Sequence, residues 1–285
     1  MRWFLPLLLG CAPTGDDTAP APADCAATGQ SYIGVVSVLT WARVADDGTS
    51  PGFDLDGRTS TENDALGCGI TDYVGVDGTP GVDNGMGRLL PTLELTEFQA
   101  VEGLVAQTIA SGGFLLTFRL DGVDDPANDA CVDLTVGRAE GDVLLGTDGL
   151  LEVGQTVDRD EDAEELVFRG LQMTDGHLQA QPLDLSVPLQ VFEVSLDFDL
   201  TGGALSVDLA DDGHLSGVFG GGVDTAYIMS IATNEDVDAD LVDLMGTLLS
   251  LYADLQPNDA GTCDQLSVNF EYEAIPAWFF DEGEG

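Results

Sequence analysis

Between residues 45 and 87 the chain sets Asp46, Asp47, Asp54, Asp56, Asp64, Asp72, Asp77, Asp83 and Asn84 among glycines and threonines. A hard cation such as calcium takes about six to eight oxygen ligands, commonly from carboxylates one residue apart in a glycine-bent loop. The run DLDG at 54–57 supplies such a pair with its bending glycine. It is not an EF-hand, because aligning Asp54, Asp56 and Gly57 to that loop leaves Gly52 and Asn63 at its first and last ligand positions. Calcium is therefore expected on Asp54, Asp56, Asp72, Asp77, Asp83 and Asn84. A second oxygen-rich run, DGVDDPAND at 121–129, offers Asp121, Asp124, Asp125 and Asp129. A third, DRDEDAEE at 158–165, lacks glycine and reads equally well as a solvated charge run.

Asp and Gly are also the ordinary residues of turns. An acid-rich surface can equally be an adaptation to salt, where screening over about 3 Å at 1 M makes self-repulsion tolerable. Ordinary catalytic patterns are missing: there is no GxSxG, HExxH or P-loop run. The histidines, His177 and His214, both follow Asp-Gly, the preferred two-residue hairpin turn, and read as turn residues. No enzyme is expected.

The sequence MRWFLPLLLG precedes Cys11. Its apolar run is far shorter than the roughly 20 residues that span a bilayer. Leu8-Leu9-Gly10-Cys11 resembles a bacterial lipobox, which implies cleavage before Cys11 and acylation of that cysteine. Ala12 at the next position accords with outer-membrane sorting by analogy with enteric bacteria. Residues 12–24, APTGDDTAPAPAD, read as an extended tether. The organisation expected is a signal peptide at 1–10, an acylated Cys11 with its tether to 24, and one domain over 25–285. Cys25, Cys68, Cys131 and Cys263 remain, an even number that suggests two disulfides in an exported chain. Three pairings are open. No CxxC spacing argues for zinc.

Composition narrows the class. The 285 residues carry 52 acidic side chains against 8 basic ones, a formal charge of −44. That excludes a nucleic-acid binder, which needs clustered cations against phosphate. At 44% hydrophobic residues, the chain is not a disordered acidic tail.

The elements that must position these residues are mostly strands. Tyr32–Val44 reads as a buried first strand, followed by the long acidic loop 45–87. Thr96-Glu97-Phe98-Gln99 has capping-box spacing and opens a helix that Gly112-Gly113 ends, with a start before Pro91 as an alternative. Phe114–Leu120 and Val132–Gly137 read as strands. Apolar residues alternate through Leu183–Val191, Val194–Leu200 and Leu205–Leu209. Asn234 caps a second helix with an apolar stripe from Val237 to Leu255, and Leu266–Tyr272 is a closing strand. The fold expected is mainly β: an antiparallel curved sheet or β-sandwich with two packed helices.

Several segments together resemble uncharacterised exported lipoproteins of myxobacteria and related bacteria. They are GFDLDGR at 52–58, the DG and GVDN runs within 77–84, LDGVDDPANDACV at 120–132 and LSVNFEYEAIPA at 266–277. The resemblance spans most of residues 31–280. It implies an envelope location and brings no established activity. The expectation is a non-enzymatic, lipid-anchored protein of the outer membrane or cell surface with a calcium-binding acidic loop. A carrier for a lipid or other hydrophobe, held inside the curved sheet, is the alternative.

Overall fold

The computed structural model describes Cys25 and residues 29–94, 100–191, 194–234 and 239–280. Cys11 with the rest of residues 1–24, the capping box at 96–99 and the acids Asp236 and Asp238 lie outside them. In chain order the elements are β1 (Gln30–Trp41), β2 (Thr49–Ser50), β3 (Tyr73–Gly75), β4 (Pro80–Val82), α1 (Gly85–Leu93) and α2 (Ala100–Ala110). There follow β5 (Leu115–Val123), β6 (Asn128–Glu140), β7 (Gln155–Arg159), β8 (Leu166–Thr174), β9 (His177–Val191), β10 (Val194–Leu209) and β11 (Leu215–Asp224). The chain ends with α3 (Thr225–Asn234), α4 (Ala239–Tyr252), β12 (Leu255–Pro257) and β13 (Cys263–Phe279).

The protein is mainly β, as the alternation implies. Its large sheet closes into a barrel rather than folding into a sandwich. Around the ring the order is β1-β5-β6-β8-β9-β10-β11-β13, every neighbour antiparallel, and β13 returns to β1. Closure pairs Gly34 with Pro276 and Trp41 with Phe270. It removes the free edges that an open sheet exposes.

Along β9 inward and outward positions alternate, with the phase shifting by one residue at Gln181-Pro182, where the register to β10 also slips. Leu178, Ala180, Leu183 and Val187 are buried, while Gln179, Gln181, Asp184 and Ser186 face outward. Polar outward positions make this stretch of wall a water-facing one. No helix among the described residues is long and apolar enough to cross a membrane. The interior is filled by rings. Trp41 and Phe219 flank Phe270 at 4.5 and 5.3 Å between centroids, and Phe118 lies 4.5 Å from Tyr272.

The links alternate between the two rims. Short links, β5–β6, β8–β9 and β10–β11, occupy one rim, together with the start of β1 and the end of β13. The two Asp-Gly-His sequences lie at the β8–β9 and β10–β11 links, but only the first is the expected two-residue turn; the second spans 210–214, with Gly213 alone at positive φ. Asp175 and Gly176 both adopt positive φ (51° and 77°), the conformation of a two-residue hairpin turn. All the long excursions leave from the other rim: residues 42–114, 141–165 and 225–262. There α2 packs against both β1 and β9, strands on opposite sides of the ring, and so lies across the mouth. Its Val105 and Ile109 are buried in the core.

Each helical region holds two helices where one was expected. Asn84 caps α1, its Oδ1 accepting from the Gly87 N–H at 2.9 Å. Pro91 lies within α1, near its end. Asn234, read as the N-cap of the second region, is instead the last residue of α3. The 45–87 segment is not a bare loop. It contains a three-stranded sheet, β2-β3-β4, and a single 3-10 turn at Ala65–Gly67. Strands of two or three residues are too short to produce a periodic pattern.

Two disulfides form. Cys25–Cys131 fastens the segment before β1 to β6, and Cys68–Cys263 fastens the 3-10 turn to the first residue of β13.

Candidate metal centre

Asp54 and Asp56 sit in the bend after β2, and both accept from the Arg58 N–H at 2.9 Å. Asp83 follows β4 and is tied to the same bend twice. Its N–H donates to Phe53 O at 2.9 Å, and its Oδ2 accepts from the Leu55 N–H at 2.8 Å. These bonds bring one carboxylate oxygen from each of Asp54, Asp56 and Asp83 within 4.8 Å of the others. Gly81 permits the approach. At φ +94° a Cβ there would sit 2.5 Å from Arg58 O and 3.2 Å from Asp54 Oδ2.

Burial deepens across the group. Asp54 is exposed, Asp56 is half-buried and Asp83 is buried. Loss of water pushes the Asp83 carboxyl up to about 9, with further upward pressure from Asp254, Asp56 and Asp72. Asp254, just after α4, is also buried and is pushed up to about 6 by loss of water. Its carboxylate accepts from the Ser267 N–H at 2.7 Å and the Ser267 hydroxyl at 2.5 Å, which oppose the rise. Burial likewise raises Asp72, whose carboxylate accepts from the Ser60 N–H. Arg58 pairs with Asp64 at 3.4 Å, and Arg88 lies over the Tyr73 ring and donates to Thr71 O.

Three carboxylates facing one point, one of them dehydrated, can hold a metal ion. The donors are all oxygen, which suits a hard cation. Beside the cluster runs a groove of about 470 Å³, with Asp56 and Arg58 on one wall and Gln256 and Gln265 among the other lining residues.

Other residues read as ligands are placed elsewhere. Asp72 adds to the field but lies outside the three-oxygen group. Asp77 closes the β3–β4 turn, accepting from the Thr79 N–H and hydroxyl at 2.8 and 2.7 Å. Asn84 is committed to capping α1, and its Nδ2 donates to Ala42 O and Ser50 Oγ. Asp121 accepts from Ser31 Oγ and Arg119 Nε. The 124–129 turn folds on itself: Asp129 accepts the N–H groups of Asp124, Asp125 and Cys131, and Asp125 accepts that of Ala127. In the 158–165 run, Asp160 pairs with Arg138 and Glu165 with Arg159. His177, read as a turn residue, is instead the first residue of β9 and faces Asp208, while His214 sits in its turn against Asp212. Asp254 carried no signal in the sequence, because it stands alone behind an apolar helix stripe, 171 residues after Asp83 (254 − 83).

No known family, curated protein or solved structure matches the chain.

Proposed function

We propose that this chain is a non-enzymatic lipoprotein of the bacterial cell envelope. It is anchored through Cys11 and binds calcium at Asp54, Asp56 and Asp83, in an interaction or structural role. The observation that carries the reading is the convergence of the three carboxylates on one point around the buried Asp83. Calcium is favoured over magnesium because the ligands come from a glycine-bent segment, and magnesium demands a rigid octahedron. Two disulfides are consistent with an extracytoplasmic location. The lipobox-like LLGC supplies the attachment to the membrane. The partner it presents is a protein or polysaccharide of the surface, and the charge of −44 excludes nucleic acid. Packed rings in the barrel favour this reading over carriage of a hydrophobe.

The test is the melting temperature in calcium, in chelator and in NaCl of matched ionic strength. A ligand at 100 times its Kd adds about 2.7 kcal/mol. That raises the midpoint by roughly 5–10 °C at 2–4 °C per kcal/mol. An equal rise in NaCl means that the acids are a salt-adapted surface, and it overturns the calcium site.

A further inference from the structure

We propose that an apolar patch built on the 144–152 hairpin and the end of β13 docks on a lipid bilayer. The hairpin reads LLGTDGLLE and is closed by the Leu145–Leu151 bridge and by the Glu152 N–H donating to Leu144 O at 2.8 Å. Its Leu144 is 64% exposed, and Leu145 and Leu150 are exposed with it. Val153, at 59%, follows directly. The buried Gln155 ties the hairpin base to β13. It accepts from the Leu144 N–H, donates to Glu152 O, and stands opposite Ala277. Trp278 and Phe280 next to it are 64% and 72% exposed.

Six large exposed apolar side chains on two adjoining segments, the hairpin and the end of β13, exceed what a water-facing wall needs. Their composition, leucine with Trp and Phe, is that of a surface lying in the membrane interface. Asp148 at the hairpin tip accepts from the Leu150 N–H at 3.1 Å, and it remains exposed together with Asp142 and Glu152, so the patch has an acidic border that suits an uncharged bilayer surface.

The place of the patch selects a bilayer as occupant. Gly154 donates to Pro276 O, and Pro276 lies against Gly213 of the β10–β11 turn, where Tyr32 also sits. The patch therefore starts at the rim where β1 begins. At that rim Cys25 is held against Gly122 and bonded to Cys131. Only residues 12–24 separate Cys25 from Cys11, a reach of about 40 Å at ~3.1 Å per residue, so an acyl group there holds this rim within that distance of the membrane. A second copy is a poor occupant, because each carries a charge of −44. The inference rests on the reading of Cys11 as the anchor.

The experiment reconstitutes the full chain into phosphatidylcholine vesicles containing acyl-brominated lipid. Emission from Trp278 is obtained by difference from the Trp278→Phe variant. Mass spectrometry of the peptide carrying Cys11 is run on the same sample. The proposal expects bromolipid quenching of Trp278 and shielding from acrylamide. Serine at Leu144, Val153 and Phe280 should lower vesicle partition of unacylated chain by about tenfold or more. Trp278 equally open to acrylamide with and without vesicles overturns the patch, even if Cys11 is acylated. Shielding that depends on protein concentration and not on vesicles also overturns it, in favour of a second copy. Quenched Trp278 with unmodified Cys11 retains the patch and removes the anchor.

Discussion

Replacing Asp83 by Asn tests whether the buried carboxyl is a cost that the fold carries for the sake of a cation. Asp83 sits in the folded chain with its carboxyl pushed up to about 9, mainly through lost water. In the unfolded chain it ionises near the ordinary value of about 3.9. The sign follows from linkage. A carboxyl raised on folding contributes its full stability below about pH 4 and loses it as pH rises towards 9. At about 1.4 kcal/mol per pH unit, the penalty approaches about 4 kcal/mol at pH 7 and about 1.5 at pH 5. Asn does not ionise, and its Oδ1 can still accept from the Leu55 N–H. Without cation, Asp83→Asn should therefore raise the melting temperature by up to roughly 8–16 °C at pH 7 and much less at pH 5. The same variant should lose most of the calcium-induced rise, having lost a charged ligand. The assay is thermal unfolding in chelator and in calcium at pH 5, 7 and 8.5. A gain independent of pH would show that packing, not ionisation, is what changed. An undiminished calcium response would remove Asp83 from the ligand set.

Gly81→Ala should cost roughly 1 kcal/mol or more in backbone strain at its φ of +94°, and should weaken the calcium response by pushing Arg58 and Asp54 apart. Thermal unfolding with and without calcium measures both. Cys68→Ala with Cys263→Ala removes a link across 195 residues of sequence and should cost about 2–5 kcal/mol, read as a lower denaturant midpoint. Asp254, pushed up to about 6 by burial, should make the chelated protein lose stability as pH rises from 4 through 6; Asp254→Asn should flatten that part of the profile. A profile unchanged by that substitution would refute the assignment.

Alternation at Leu183, Val187, Leu205 and Val207 was enough to give strands and their inward faces, because each strand carries its own period. The Asp175-Gly176 turn was legible for the same local reason, whereas the link at 210–214 is longer than its Asp-Gly pair implies. Ring closure was not, since nothing near Gly34 names Pro276 as its partner. The cysteine count gave two bridges, whereas the pairing depends on where β6 and β13 come to lie. At the metal centre, Asp54 and Asp56 were visible as a pair in DLDG. Their meeting with Asp83 depends on the backbone bridge from Phe53, and the field of Asp254 on the packing of α4 against β13. Asp72, Asp77 and Asn84 look alike in sequence, yet one is a neighbour, one a turn residue and one a helix cap.

The pairing of the first barrel strand with the last has a consequence for how the molecule is made. A ribosome delivers β1 more than 200 residues before β13 (263 − 41 = 222). Until then the growing wall has two bare edges and an interior of exposed rings. Contacts of such long sequence separation fold slowly, because the loop must close before it is rewarded. The wall therefore cannot close until β13 has been made. A chain stopped before Cys263 has neither its last wall strand nor its second disulfide, and it is left as an open, sticky sheet.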